Sequence, residues 1–161
     1  MSDAVSQRLR AALDECALHA RVLARDLSLL PGVFSAQDVQ ALSDDIRMVL
    51  DQAAYRFMKL QDALGERVLP GLLETTLDPL PPEAPFAQKL QRLERLGIVP
   101  SAEQWRTLRE VRNALAHEYP EKPALRAASL NRFRTGLSDL LRAWEHVNAF
   151  AGRLAHGSPG C

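Results

Sequence analysis

The sequence predicts an all-α protein, an antiparallel bundle of about five helices. Apolar residues recur every three or four positions along nearly the whole chain, and no segment alternates in the manner of a strand. The interruptions fall at proline, glycine and N-capping residues. In the first helix Leu9, Leu13, Cys16, Ala20, Leu23, Leu27 and Leu30 form one stripe that ends before Pro31-Gly32. Ser35 is a suitable N-cap for a second helix, whose stripe runs through Val39, Leu42, Ile46, Val49, Ala53, Phe57, Leu60 and Leu64 to Gly65. At 1.5 Å per residue that helix is a rod of roughly 40 Å, antiparallel to the first across a short link.

Residues 65–85 carry five prolines (Pro70, Pro79, Pro81, Pro82 and Pro85) and read as a crossover with one short helical turn around Leu72 and Leu73. A third, shorter helix carries Phe86, Leu90, Leu93 and Leu96 and closes at Gly97. Ser101 followed by Gln104 resembles a capping box and opens a fourth helix through Trp105, Leu108, Val111 and Leu115. Pro120 disfavours helix at Tyr119, so this helix is expected to end near His117. The fifth uses Leu130, Phe133, Leu137, Leu140, Leu141, Trp144, Val147, Ala151 and Leu154. Residues 1–155 are expected to form one domain and 156–161 a flexible C-terminal tail.

Of the 161 residues, 47% are apolar and 25% charged, the balance of a soluble globular domain. Twenty lysines and arginines offset 20 aspartates and glutamates. A chain without basic excess does not coat nucleic acid by bulk attraction, although a local basic patch remains compatible with that sum. Cys16 lies on the first apolar stripe and Cys161 follows a glycine–proline run, so no fixed disulfide is expected. No Cys/His cluster has zinc spacing, and no metal or other cofactor is predicted. Neither a signal pattern nor a run of ~18 apolar residues is present, which makes cytoplasmic localisation without membrane association the expectation.

The chemistry-bearing segment is Arg112-Asn113-Ala114-Leu115-Ala116-His117-Glu118-Tyr119-Pro120. Arginine grips phosphate oxygens in a planar fork, and histidine exchanges protons near neutral pH. Asn113 and His117 are four apart and share a helix face, with Arg109 on the same ridge and Arg106 one turn further back. Arg112 and His117 are five apart, about 140° around a regular helix, so a site shared between two copies of the chain would suit them better than one helix alone.

Arg112 through Tyr119 fits R-x-x-x-x-H-x-Y, which resembles the signature of the HEPN superfamily and, with its trailing tyrosine, the HepT-like branch. The long-helix stretch Ala54-Tyr55-Arg56-Phe57-Met58-Lys59-Leu60-Gln61-Asp62-Ala63-Leu64-Gly65 is similar as well, and the likeness extends over residues 9–150. The resemblance implies a metal-independent endoribonuclease acting as a homodimer, a toxin neutralised by a minimal nucleotidyltransferase antitoxin. It implies His117 as general acid or base, Arg112 as the stabiliser of charge on the phosphate, and Asn113 as the residue orienting one of them. Tyr119 is then the residue to which the partner attaches AMP, blocking the cleft by charge and bulk. Arg56, Lys59 and Arg109 are candidates for contact with the phosphates of an RNA substrate, transfer RNA among the possibilities.

Plainer roles stand beside these. His117 could serve the helix dipole, Arg112 a surface ion pair with Glu110 or Glu118, and Tyr119 the packing of a turn. Tyr55, Lys59 and Asp62, at i, i+4 and i+7, could line a cleft, but the i, i+3 ion-pair spacing of Lys59 and Asp62 is the favoured reading. His19, His146 and His156 read as surface or packing residues, and Trp105 and Trp144 as core. Two other functions stand beside the ribonuclease, the first of them also implied by the resemblance. One is a non-catalytic substrate- or nucleotide-binding subunit of a two-component nucleotidyltransferase. The other is a structural bundle whose charged ridge makes a dimer interface.

Overall fold

A computed structural model describes residues 3–115 and 121–156. They form α1 (Asp3–Leu29), α2 (Ala36–Gln40), α3 (Asp44–Ala63), a π-helical turn (Leu64–Val68), α4 (Leu69–Glu74), α5 (Phe86–Arg95), α6 (Ala102–Ala114) and α7 (Pro123–His156). No strand occurs among the described residues, and no helix there is long and apolar enough to cross a membrane. The all-α bundle stands as read from the periodicity. Its helix count exceeds five because the region expected to hold one rod and a crossover is divided into α2, α3 and α4.

The division has local causes. Ser35 does cap a helix: its Oγ accepts from the Asp38 N–H at 3.1 Å, and the Asp38 carboxylate accepts from the Ser35 N–H at 2.7 Å. That helix lasts only five residues. Ser43 then starts a second one, its Oγ accepting from the Ile46 N–H at 3.2 Å, with Asp44 and Asp45 in the first turn favouring the positive end of the dipole. The apolar stripe passes through the break without a change of period. At the far end Gly65 does not stop the helix. Pro70 has no N–H to give, and its ring would strike a carbonyl one turn back in a regular α-helix. The wider π turn just before it relieves that clash and lets the chain continue to Glu74, burying Leu69, Leu72 and Leu73.

Helix α5 closes as its glycine predicts. Gly97 takes a φ of 72°, the Ile98 N–H reaches the Leu93 carbonyl at 2.9 Å, and the Gly97 N–H reaches that of Glu94 at 3.0 Å. Leu93 and Ile98, at the two ends of that hydrogen bond, are both fully buried. Ser101 caps α6 through the Gln104 N–H at 3.1 Å, while the Glu94 carboxylate accepts from the Ala102 N–H. Thus α5 and α6 are tied end to end.

Helices α1 and α3 lie side by side and antiparallel, and α7, 34 residues and about 50 Å long, packs across them. The Asn131 amide on α7 clamps the α1–α2 turn, accepting from the Phe34 N–H at 2.7 Å and donating to its carbonyl at 2.9 Å. Phe57 of α3 meets Phe133 of α7 edge to face, centroids 5.7 Å apart, at the centre of the core.

Two polar groups lie in the α1 packing face. His19 and Asp26 are buried there, in line with Ala12, Cys16, Leu23 and Leu30. His19 is therefore a buried residue and not a surface one. Its Nδ1 lies 3.0 Å from Nη1 of Arg56, which can only donate, so the ring is neutral and carries its proton on Nε2, 3.5 Å from Glu15. Burial lowers the His19 pKa, against the attraction of Glu15, and Arg56 and Lys59 add to the lowering. Below the ordinary histidine value near 6.5 the unfolded chain binds a proton that the fold resists, so this contribution is complete above that pH and declines as pH falls. Wild-type protein should lose more thermal stability between neutral pH and about pH 5 than His19→Gln, measured by circular-dichroism melting; parallel profiles would remove His19 from the account.

Candidate functional site

A cavity of about 500 Å³ opens between the end of α3, the π turn, the first residue of α5 and the outer face of α6. Its size lies within the range common for small-molecule sites. Helix α6 contributes Trp105, Arg109, Arg112 and Asn113, at i, i+4, i+7 and i+8, a single face of the helix. Leu108 and Val111 turn the other way into the core. Gln61, Asp62, Gly65 and Glu66 form the opposing wall, and Phe86 closes one side. Gly65 permits the close approach of the two walls: a Cβ there would lie 3.2 Å from Cζ2 of the Trp105 indole.

Arg112 is the best-held cation of the cavity. Its Nε and Nη2 donate to the two carboxylate oxygens of Asp62 at 3.1 and 2.9 Å, a fork-to-fork pair joining α6 to α3. The Asp62 hydrogen bonds and charge, with Glu66 adding to them, raise the Arg112 pKa still further. The guanidinium remains a permanent cation. Both side chains stay about a third exposed, 33% and 35%, so an incoming anion can reach the fork. This pairing departs from the local spacing, which favoured Asp62 with Lys59 and Arg112 with a neighbouring glutamate. Glu110 instead pairs with Arg132 at 3.3 Å, and Lys59 lies over the ring of Tyr55 at 5.7 Å.

Among the candidates, Arg109, Arg112 and Asn113 come together on the cavity wall. Arg109 stacks over Phe86 at 5.4 Å and has no carboxylate partner among the described residues. Arg56 and Lys59 are not brought to this cavity. They flank the exposed Tyr55 on α3, and Arg56 reaches inward to His19. His117 and Tyr119 lie outside the described residues. Helix α6 runs Ala102–Ala114, and both the expected helix end near His117 and the angle between Arg112 and His117 fall outside the described residues.

Five cavity residues were not read as site residues from the sequence: Gln61, Gly65, Glu66, Phe86 and Trp105. For Gln61 a signal existed. It is four residues after Phe57 and three before Leu64, a polar residue at a core-facing position, and it is only 4% exposed. For the pairing of Asp62 with Arg112 there was no such signal, since the two are 50 residues apart. Among the described residues no group of three or more His, Cys, Asp or Glu side chains is gathered to hold a metal ion. No family model matches the chain, and neither does any curated protein or solved structure.

Proposed function

We propose that this chain is a HEPN-type ribonuclease toxin, working as a homodimer and held in check by a minimal nucleotidyltransferase that attaches AMP to Tyr119. The observation that supports this reading best is the Arg112 fork, bound to a planar carboxylate at the wall of an open cavity. A carboxylate and a phosphate present the same pair of oxygens to a guanidinium, so the Asp62 side chain stands where two phosphate oxygens would sit. Arg109 supplies a second cation without a carboxylate partner, and Asn113 an amide without a partner among the described residues.

In the proposed reaction the ribose 2′-oxygen bonds to phosphorus and the bond to the 5′-oxygen of the next nucleotide breaks. The 2′-hydroxyl gives up its proton and the departing 5′-oxygen takes one, and His117 is assigned to one of these transfers. Arg112 stabilises the charge that gathers on the phosphate oxygens as the fifth bond forms. The homodimer and the antitoxin come from the HepT-like resemblance of the motif.

The test is incubation of the purified chain with total RNA and with transfer RNA in EDTA, beside His117→Ala. Mass spectrometry of the intact protein first establishes that Tyr119 is unmodified. Cleavage should fall by on the order of a hundredfold or more in the variant, the usual worth of a general acid or base. Equal cleavage by the variant would sink the assignment. No cleavage by unmodified, dimeric wild type would move the assignment to the binding subunit of a nucleotidyltransferase pair.

A further inference from the structure

The cavity beneath Arg112 holds more polar capacity than a phosphate can use. Gln61 is 4% exposed and lines this cavity with a neutral amide. Trp105 is 2% exposed, and its buried indole N–H has no acceptor among the described residues. An unmade hydrogen bond on a buried donor is costly, and folded proteins leave few of them without a reason. Here one such donor, the Trp105 indole, and the nearly buried Gln61 amide line one open cavity. Both are neutral, so they are suited to a neutral polar group and not to a second anion.

The remaining walls narrow the chemistry. Phe86 with Arg109 over it offers an aromatic face and a guanidinium plane, the two surfaces on which unstacked bases settle. The Gln61 amide presents a donor and an acceptor side by side, matching the paired edge of a nucleobase. Glu66 adds a carboxylate with no ion pair among the described residues, an acceptor for an exocyclic amine. We infer that this cavity receives one unstacked base of single-stranded RNA, with Gln61 reading its edge while Arg112 holds the adjoining phosphate, and that it prefers bases bearing an exocyclic amino group to uracil. This inference rests on the ribonuclease reading for its choice of RNA, and Gln61 is its specificity residue.

The experiment uses short, fluorescently labelled 2′-O-methyl oligonucleotides, which lack the attacking hydroxyl and stay intact. Anisotropy titrations compare oligo-A, oligo-C and oligo-U on wild type, Gln61→Met, Trp105→Phe and Arg112→Ala. Wild type should bind the A and C strands about tenfold more tightly than the U strand, the lower end of the discrimination expected of a paired base contact. Gln61→Met should erase that gap, and Arg112→Ala should weaken all three strands alike. Trp105→Phe removes the indole donor with little change of shape, and a narrowed gap there supports the inference even if Gln61→Met fails to fold. Equal binding of all strands by wild type, or a gap unchanged in both cavity variants, overturns the base site and leaves the ribonuclease reading standing. Absence of binding to any strand by wild type overturns both.

Discussion

Arg112→Lys should abolish RNA cleavage as completely as Arg112→Ala, a loss on the order of a hundredfold to a thousandfold in rate for either variant. Lysine keeps the charge but not the fork. The two donors that engage the Asp62 oxygens at 3.1 and 2.9 Å sit on different nitrogens of a rigid plane, and an ammonium group presents a single point of attachment. The fold should tolerate both changes, because the pair is about a third exposed and solvent-screened pairs contribute at most about 1 kcal/mol. Circular dichroism should therefore stay helical, with a melting point close to wild type. Asp62→Asn is the informative contrast. It leaves Arg112 in place with a weaker competitor, so RNA affinity should rise while cleavage persists. Full activity in Arg112→Lys would mean that charge alone is used and that the bidentate geometry is incidental.

The reach of the sequence stops where partners are distant. The α6 ridge was legible in part: Arg109 and Asn113 share a face by periodicity, and α6 places both on the cavity, with Arg112 beside them and without Arg106. Gly97 was legible as a terminus because only glycine takes its φ of 72° without strain. The heptad line Ala12, Cys16, His19, Leu23, Asp26, Leu30 was also present in the sequence, and it would have marked His19 and Asp26 as buried. What hid them was a competing stripe through Leu9, Leu13 and Leu27, which lies one step around the same helix and is only partly buried. Pro70 misled for a different reason. A proline ends a helix when nothing compensates for the lost hydrogen bond, whereas here the π turn and the burial of three leucines do so. The Asp62–Arg112 pair could not be read at all, since ion-pair spacing describes neighbours on one helix and these residues meet across two.

Phe57→Ala should be the most damaging single substitution in the core, costing about 3–5 kcal/mol of stability. The ring is completely buried and packs edge to face on Phe133, where α3 and α7 meet. Removing it takes away both its apolar burial and an aromatic contact, and the rods around it cannot collapse without displacing one another. A domain of this size holds only about 5–15 kcal/mol in reserve, so the variant should unfold at a much lower urea concentration. The consequence also reaches the site. Gln61 and Asp62 follow Phe57 by a little more than one turn, so a shift of α3 against α7 changes the wall that faces Arg112. Tyr55→Ala on the same helix is the control: its ring is 50% exposed and touched by Arg56 and Lys59, and its loss should stay near 0.5 kcal/mol. If urea titration instead gave the two variants similar midpoints, the α3–α7 seam would not be the keystone of this bundle, and the positioning of the cavity wall would have to be sought in the contact of α3 with α1.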